Sequence, residues 1–327
     1  SMGRFLIRRI VIMIPLVIGI TFISFVAMSL VPGNFVSSLA LDPRISPAVI
    51  KQMEAEFGLD QPLLIRYVRW LWQVMHLNLG VSLAYRVSVG ELIGSRAVNT
   101  VILALASMIL SWVMAIPIGV VVAVRQNSAL DRFLSFASFL GMSVPAFFLA
   151  FLAMDFALWS GRFPVGGSFS PDYASLDAAS KVADRFNHLI LPALVLGVAG
   201  MASLMRLMRS QILEIRNADF VRTARAKGLP ERIVMFKHVL RNALNPFVTI
   251  AGYSLADLLG GAALVEAVMN LQGLGLLLLN AVRSLDVPLV MGSVLTGTVL
   301  LLIGNLLADI ALVAVDPRVD FATLAAE

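Results

Sequence analysis

Few residues in this chain could do chemistry. Cysteine is absent, and the only histidines are His76, His188 and His238. They are far apart, and none lies mid-way along an apolar stretch, so each reads as an interfacial or loop histidine rather than a ligand. Without cysteine there are no disulfides, thiolate metal sites or iron–sulfur clusters. No G-x-x-x-x-G-K-[ST] phosphate loop occurs, and Lys227-Gly228 has the reverse order. Neither H-E-x-x-H nor G-x-S-x-G is present. Gly273-Leu274-Gly275 is too short for dinucleotide binding and reads as a turn or helix start. No paired nucleophile and base can be assembled within the apolar stretches. The expectation is a chain with no catalytic residue, no metal and no cofactor of its own.

What remains is a small set of acids in or near apolar stretches: Asp155, Asp257, Glu266 and Asp309. A charge at membrane depth is costly, so each is a functional candidate. Asp257 lies deepest, in Asp257-Leu-Leu-Gly-Gly-Ala, where the glycines let another backbone or a solute approach. Asp257, Glu266 and Asp155 are the candidates for a translocation path, with Glu266 able to cap or gate. Asp309 reads as snorkelling or pairing with Arg318. Met201, Met205 and Met208 share one helical face and read as adaptable packing.

The elements that must hold these residues follow from composition. Hydrophobic residues make up 59% of the 327 residues and charged ones 14%. Mean hydropathy is +0.90. An ordinary soluble domain has roughly 45–50% apolar and about 25% charged residues. A soluble enzyme and a disordered chain are both excluded, and an all-α polytopic membrane protein is expected. Six stretches are long enough to span: residues 5–31, 98–124, 133–159, 189–207, 247–269 and 289–315. The first is too long for a signal peptide, and Pro32-Gly33 ends it as a retained span. Ser1 ahead of Met2 reads as an addition.

Basic residues fix an orientation. Arg4, Arg8 and Arg9 precede the first span, Arg125 and Arg132 lie between the second and third, and Arg318 follows the sixth. Nine basic residues run from Arg206 to Arg241, against Glu214, Asp219 and Glu231. With six spans all these places fall on one side, so both termini are expected in the cytoplasm. The same asymmetry explains the net charge of +5 better than nucleic-acid binding does. The expected divisions are residues 1–32, a cytoplasmic tail and first span; 33–97, an extracytoplasmic segment with amphipathic stretches near 47–57 and 62–77; 98–315, a five-helix core with a cytoplasmic loop at 209–245; and 316–327, a cytoplasmic tail.

The most informative stretch is Asn217-Ala-Asp-Phe-Val-Arg-Thr-Ala-Arg-Ala-Lys-Gly-Leu-Pro230. Asp219 can cap a short helix that starts at Phe220. Gly228 suits the position just past its end, and Pro230 follows where a helix stops. Two turns are too few to be stable alone. The helix must pack on its own chain or on a partner, carrying Phe220, Val221 and Ala224 beside Arg222, Arg225 and Lys227. A plain positive-inside loop facing anionic lipid is the competing reading, but such a loop needs neither a cap nor a glycine stop. A second amphipathic stretch covers 231–244, and Asn245-Pro246 can start the fifth span.

Residues 219–228, with the downstream His238-Val-Leu-Arg-Asn242, resemble the "EAA" loop of binding-protein-dependent ABC importer permeases. Thr223-Ala224 stands at the alanine pair of that motif and Gly228 at its glycine. The wording is similar to the first-permease (B-type) subunits of the dipeptide/oligopeptide/nickel subfamily. So are Arg8-Arg9 with Pro15, Leu30-Val-Pro-Gly33, Phe57-Gly-Leu-Asp-Gln-Pro62, Leu79-Gly-Val-Ser82, Phe163-Pro-Val-Gly-Gly167, Leu191-Pro-Ala193, Val265-Glu266 with Leu274-Gly275, and Asp316-Pro-Arg318. Asn270-Leu-Gln-Gly273 departs from the family, which commonly has a proline before the glycine.

The resemblance implies a six-span type I ABC importer permease in a bacterial inner membrane. It implies a second homologous permease subunit, two cytoplasmic ATPase subunits that carry ATP and magnesium, and an extracytoplasmic solute-binding protein. The ATPase would be docked by Asp219, Phe220, Val221, Arg222, Ala224, Arg225, Lys227 and Gly228, with Phe220, Val221 and Ala224 buried in the contact and the basic residues at its rim. Peptides are the implied solute, and an acidic cavity would attract a peptide amino terminus. Nickel or another small solute stays open, as does the contrasting reading of an ion-coupled secondary transporter working alone.

Overall fold

The computed structural model describes residues 2–315 and residue 320. Among them there is no strand, only an isolated bridge between Val81 and Ser88. The helices are α1 Met2–Leu30, α2 Phe35–Leu39, α3 Pro47–Glu56, α4 Leu63–Met75, α5 Val89–Val124, α6 Ala129–Ser143, α7 Ala146–Ser160, α8 Ala178–Ile215, α9 Asp219–Ala226, α10 Glu231–Ile233, α11 Arg241–Ala243, α12 Asn245–Val268, α13 Leu274–Arg283 and α14 Val287–Val315. A π-helical run, Val234–Leu240, joins α10 to α11. Five of these helices, α1, α5, α8, α12 and α14, are long and apolar enough to cross a membrane.

The third expected span is broken. Residue 144 adopts an extended conformation (ψ 126°) ahead of Pro145, and α6 and α7 meet at a bend of 108°. The cause is local, since the proline ring disfavours a helical residue before it. The contacts of the pair nevertheless follow α8 in one direction. Asp131 at the start of α6 pairs with Arg209 near the end of α8. Gly141 lies against Val198 and Ala202 in mid-α8. Ala150 and Ala157 of α7 pack in one core with Leu191, and Phe163 joins the same core. From Leu191 to Arg209 an α-helix rises about 27 Å at 1.5 Å per residue. The two halves together therefore track α8 over a length comparable to a bilayer's hydrocarbon thickness.

The chain divides into two compact units. Among the described residues, one comprises 101–271 and 303–315, so the bent pair, α8, α9 and α12 lie in it. Close helix approach there depends on small residues: a Cβ on Gly119 would sit 2.6 Å from Met208, and one on Gly197 would sit 2.7 Å from Ser111. The Ser111 hydroxyl donates to the Gly197 carbonyl at 2.9 Å across that contact. Met205 and Met208 are buried in this core, with Met201 packed on it.

The other unit comprises residues 2–100 and 272–302. Here α5 starts nine residues before the apolar run does, because Val89 and Ile93 bury against Leu274, Leu277 and Leu289. The 47–57 and 62–77 stretches form α3 and α4. Tyr67 of α4 reaches α1, its hydroxyl 3.0 Å from Thr21 Oγ1 and 3.1 Å from the Ile18 carbonyl.

Candidate functional site

The loop after α8 folds into a small, internally braced body. Its helix α9 begins one residue earlier than the sequence suggests. Ala218 occupies the cap position and Asp219 the first helical turn, where it makes no capping bond. The Asp219 carboxylate instead lies 3.5 Å from Arg222 and is almost fully exposed. Gly228 takes φ +73°, and its N–H donates to the Arg225 carbonyl at 3.0 Å, which ends the helix.

Three of the eight expected docking residues are engaged by the chain itself. Val221 and Ala224 are buried against Val234, Val239 and Ala243, so they are not available to a partner. The reason is the one the sequence raised: two turns of helix need an apolar support, and the following π-helical segment supplies it. Arg225 is exposed but already paired within the chain. It forms a two-pronged pair with Glu231, at 2.9 and 3.3 Å, and donates to the Arg216 carbonyl at 3.3 Å. This guanidinium holds the Glu231 carboxyl below its ordinary value. What faces outward is Phe220, 47% exposed, with Asp219, Arg222, Lys227 and Gly228. The fifth span also starts one residue early, with Leu244 as cap and Asn245-Pro246 inside the first turn.

The three path candidates are not gathered into one cluster, and among the described residues no three His, Asp or Glu side chains group as a metal site would require. Asp257 is exposed on α12, on a face with Tyr253, Gly260, Gly261 and Leu264, at helical spacings of four, seven, eight and eleven from Tyr253. Glu266 is buried near the end of α12, at 1% exposure. Asp155 is exposed on α7 beside Phe151, Leu152 and Phe156. Asp309 is buried. Its expected partner Arg318, with Asp316 and Pro317, lies outside the described residues.

Comparison with known proteins decides what this arrangement belongs to. The family profile "Binding-protein-dependent transport system inner membrane component" matches residues 115–321. The corresponding N-terminal profile matches residues 2–104. The chain belongs to this family of transport-system permeases. It is 40% identical to the oligopeptide transport system permease protein AppB of Bacillus subtilis, over 98% of this chain and all of that one. It is 36% identical to the dipeptide transport system permease protein DppB of Escherichia coli, over 97% of this chain and 99% of that one. The protein is thus a multi-pass inner-membrane permease subunit of an ABC importer with the type I permease fold, not an enzyme. Such permeases work with ATPase and solute-binding components.

Two carboxylates that hold the permease together escaped the sequence reading. Asp131 is buried and accepts from Arg209 at 2.8 and 2.9 Å, from the Asn127 N–H at 2.8 Å and from Ser135. Its local signal was legible as Ser128-Ala-Leu-Asp131, since Ser128 caps α6. Its partner, 78 residues on, was not. Asp286 is fully buried and accepts from Ser82 Oγ at 2.5 Å, from the N–H groups of Leu83 and Ala84 at 3.0 and 3.1 Å, and from that of Leu289 at 3.4 Å. That gives the Leu79-Gly-Val-Ser82 landmark its physical role. Similarly, Gly167 donates to the Met269 carbonyl at 2.8 Å, and a Cβ on Gly166 would sit 2.7 Å from the same oxygen. The 270–273 loop is held by α5, where Asn99 donates to the Gln272 carbonyl at 2.7 Å and Arg96 bonds the Gln272 side chain.

Proposed function

We propose that this permease carries peptides into the cytoplasm by alternating access, paired with a second homologous permease and driven by two cytoplasmic ATPase subunits that bind ATP and magnesium. Both termini and α9 lie in the cytoplasm, in keeping with the basic residues from Arg206 to Arg241. The observation that carries the reading is the division of α9. Val221 and Ala224 anchor it inward, while Phe220 stands half exposed among Asp219, Arg222 and Lys227. A large aromatic held outward on a braced helix suits a partner groove, with the flanking charges at the rim tuning association rate more than affinity. Gly228 belongs to the docking unit as the residue that stops the helix.

Peptide as solute rests on the names of the two relatives. The α12 face of Tyr253, Asp257, Gly260 and Gly261 is the candidate lining of the path, with Asp257 attracting a peptide amino terminus. Glu266, being buried, acts in packing or gating at the end of α12, and Asp155 is the remaining candidate on α7. Reconstitution with the partner subunits and binding protein tests the reading. Di- or oligopeptides should raise ATP hydrolysis and accumulate inside vesicles. Stimulation by nickel or another solute but by no peptide refutes the peptide assignment, and uptake driven by an ion gradient without ATPase subunits refutes the ABC mechanism.

A further inference from the structure

Helix α4 carries two features that the transport reading leaves unused. A cleft of about 150 Å³ opens beside it, lined by Phe25, Arg66, Arg69, Trp70, Gln73 and Pro288 among others. Trp70 is 7% exposed, and its indole Nε1 is buried without a hydrogen-bond partner. Arg66 Nε is in the same condition. The rest of the Arg66 guanidinium is weakly engaged, with Nη2 3.4 Å from Ser29 Oγ and the group 5.4 Å from the centre of the Phe25 ring. An indole N–H and a guanidinium are donors only. The two buried nitrogens are closed off from the cleft, but the Arg66 and Arg69 side chains both line it, and two guanidinium groups favour a charge-bearing acceptor.

The second feature is the outward side of α4. Leu64, Ile65, Val68 and Trp72 form an exposed apolar face, and Arg69 borders both this face and the cleft. The helix does not stand clear of the span. Tyr67 bonds α1 at Thr21 and Ile18, and Thr21 is nine residues from the end of α1, about 14 Å along the helix axis. The outer surface of α1 is itself apolar, with Ile14, Ile18 and Ile23 exposed. Arg66 lies nearer the end of the span, its Nη2 3.4 Å from Oγ of Ser29, one residue before the close of α1, and that end lies at the boundary of headgroups and acyl chains.

We propose that this cleft binds the phosphate of an anionic phospholipid, held by the Arg66 and Arg69 guanidinium groups, with an acyl chain lying along Leu64, Ile65, Val68 and Trp72. A cationic donor pocket that continues into an apolar face matches a lipid with an anionic head. A soluble anion would use only the pocket.

Native mass spectrometry of the full-length permease in detergent, with phosphatidylglycerol and phosphatidylcholine of identical chains, tests this. Wild type should retain phosphatidylglycerol over phosphatidylcholine. R66Q/R69Q should cut phosphatidylglycerol retention by about tenfold or more, as expected for lost charge-assisted bonds, with phosphatidylcholine unchanged. Trp72 is exposed, so W72Q leaves the fold intact and should lower retention of both lipids. Equal retention of the two lipids by wild type overturns the proposal, as does an unchanged preference in R66Q/R69Q. Inorganic phosphate displacing phosphatidylglycerol from wild type, with W72Q behaving as wild type, shows a free-anion site and overturns the lipid assignment.

Discussion

Neighbouring residues on α9 should fail in different ways, and the difference is computable. Phe220 is 47% exposed. A phenylalanine presents roughly 200 Å², so about 100 Å² remains to be buried by a partner. At about 25 cal/mol per Å² this is worth about 2.5 kcal/mol, or a roughly 70-fold loss of ATPase affinity in Phe220→Ala. The half of the ring that the chain already covers is lost as well, so the permease's own stability should fall by about 2 kcal/mol too. Val221 is fully buried. Val221→Ala removes two methyl groups and leaves a small cavity, costing about 2 kcal/mol of stability. The assay is a pair of measurements on purified permease in nanodiscs: thermal unfolding, and binding of the ATPase subunits. Both variants should lower the melting temperature; Phe220→Ala should also lose ATPase binding in the folded protein, whereas folded Val221→Ala should bind as wild type does. Wild-type ATPase affinity and normal uptake by Phe220→Ala would refute the assignment of α9 as the docking helix. ATPase affinity lowered equally by both variants in the folded protein would refute the division of its faces.

Three further outcomes follow from the geometry. Asp131→Ala strands Arg209, whose side chain is 27% exposed, and should cost about 2–4 kcal/mol, below the full penalty of a completely buried pair; thermal unfolding in detergent checks it. Gly228→Ala meets nothing within 4 Å but must hold φ +73°, so it should cost roughly 1–2 kcal/mol from backbone strain alone, read as faster proteolysis of the 217–230 loop. Asp286→Asn turns one acceptor oxygen into a donor facing the Ala84 N–H and should cost about 2 kcal/mol; hydrogen exchange at Leu83 and Ala84 should rise while that at Val221 stays unchanged.

The places where the sequence reading stopped short have separate physical causes. Apolar runs marked α1, α12 and α14 to within three residues, because nothing but hydropathy decides those helices. Helix α5 was read as starting at residue 98 since Gly90, Glu91 and Arg96 dilute the run; its true start depends on Val89 and Ile93 packing against α13, a tertiary fact. The first eleven residues of α8 were read as loop because Lys181, Asp184 and Arg185 are polar. They stay helical while Asp184 binds the Ser170 N–H and hydroxyl, at 2.8 and 2.5 Å, and Arg185 stacks over Tyr173. Pro145 was visible, but prolines at 117 and 192 sit inside unbroken helices, so proline alone did not identify which span would bend. The outward Phe220 and inward Val221 were both legible as apolar. Which one the chain would keep for itself depended on Val234 and Val239, and no periodicity within α9 contains that information.

The bracing of the loop bears on how a push at α9 reaches the membrane. A two-turn helix hung on flexible connections would absorb a displacement by bending them. Here Arg225 ties α9 both to the residue that closes α8, through the Arg216 carbonyl, and to Glu231 at the next turn. Val221 and Ala224 share one buried core with Met208 and Ile212 of α8 and with Phe247 of α12. Helix α8 is in turn fastened to α6 by the Asp131–Arg209 pair, and Arg216 at its close donates to Gln126, in the turn between α5 and α6, at 2.9 Å. A force on Phe220 therefore meets packed side chains and charged bonds in every direction into the membrane, with no slack segment before α6, α8 and α12. Beyond them the helical bonding is interrupted at the extended residue ahead of Pro145, where α6 and α7 meet at 108°. Stiff packing up to a single backbone break is the arrangement in which a local push moves helices as bodies rather than dissipating in the loop.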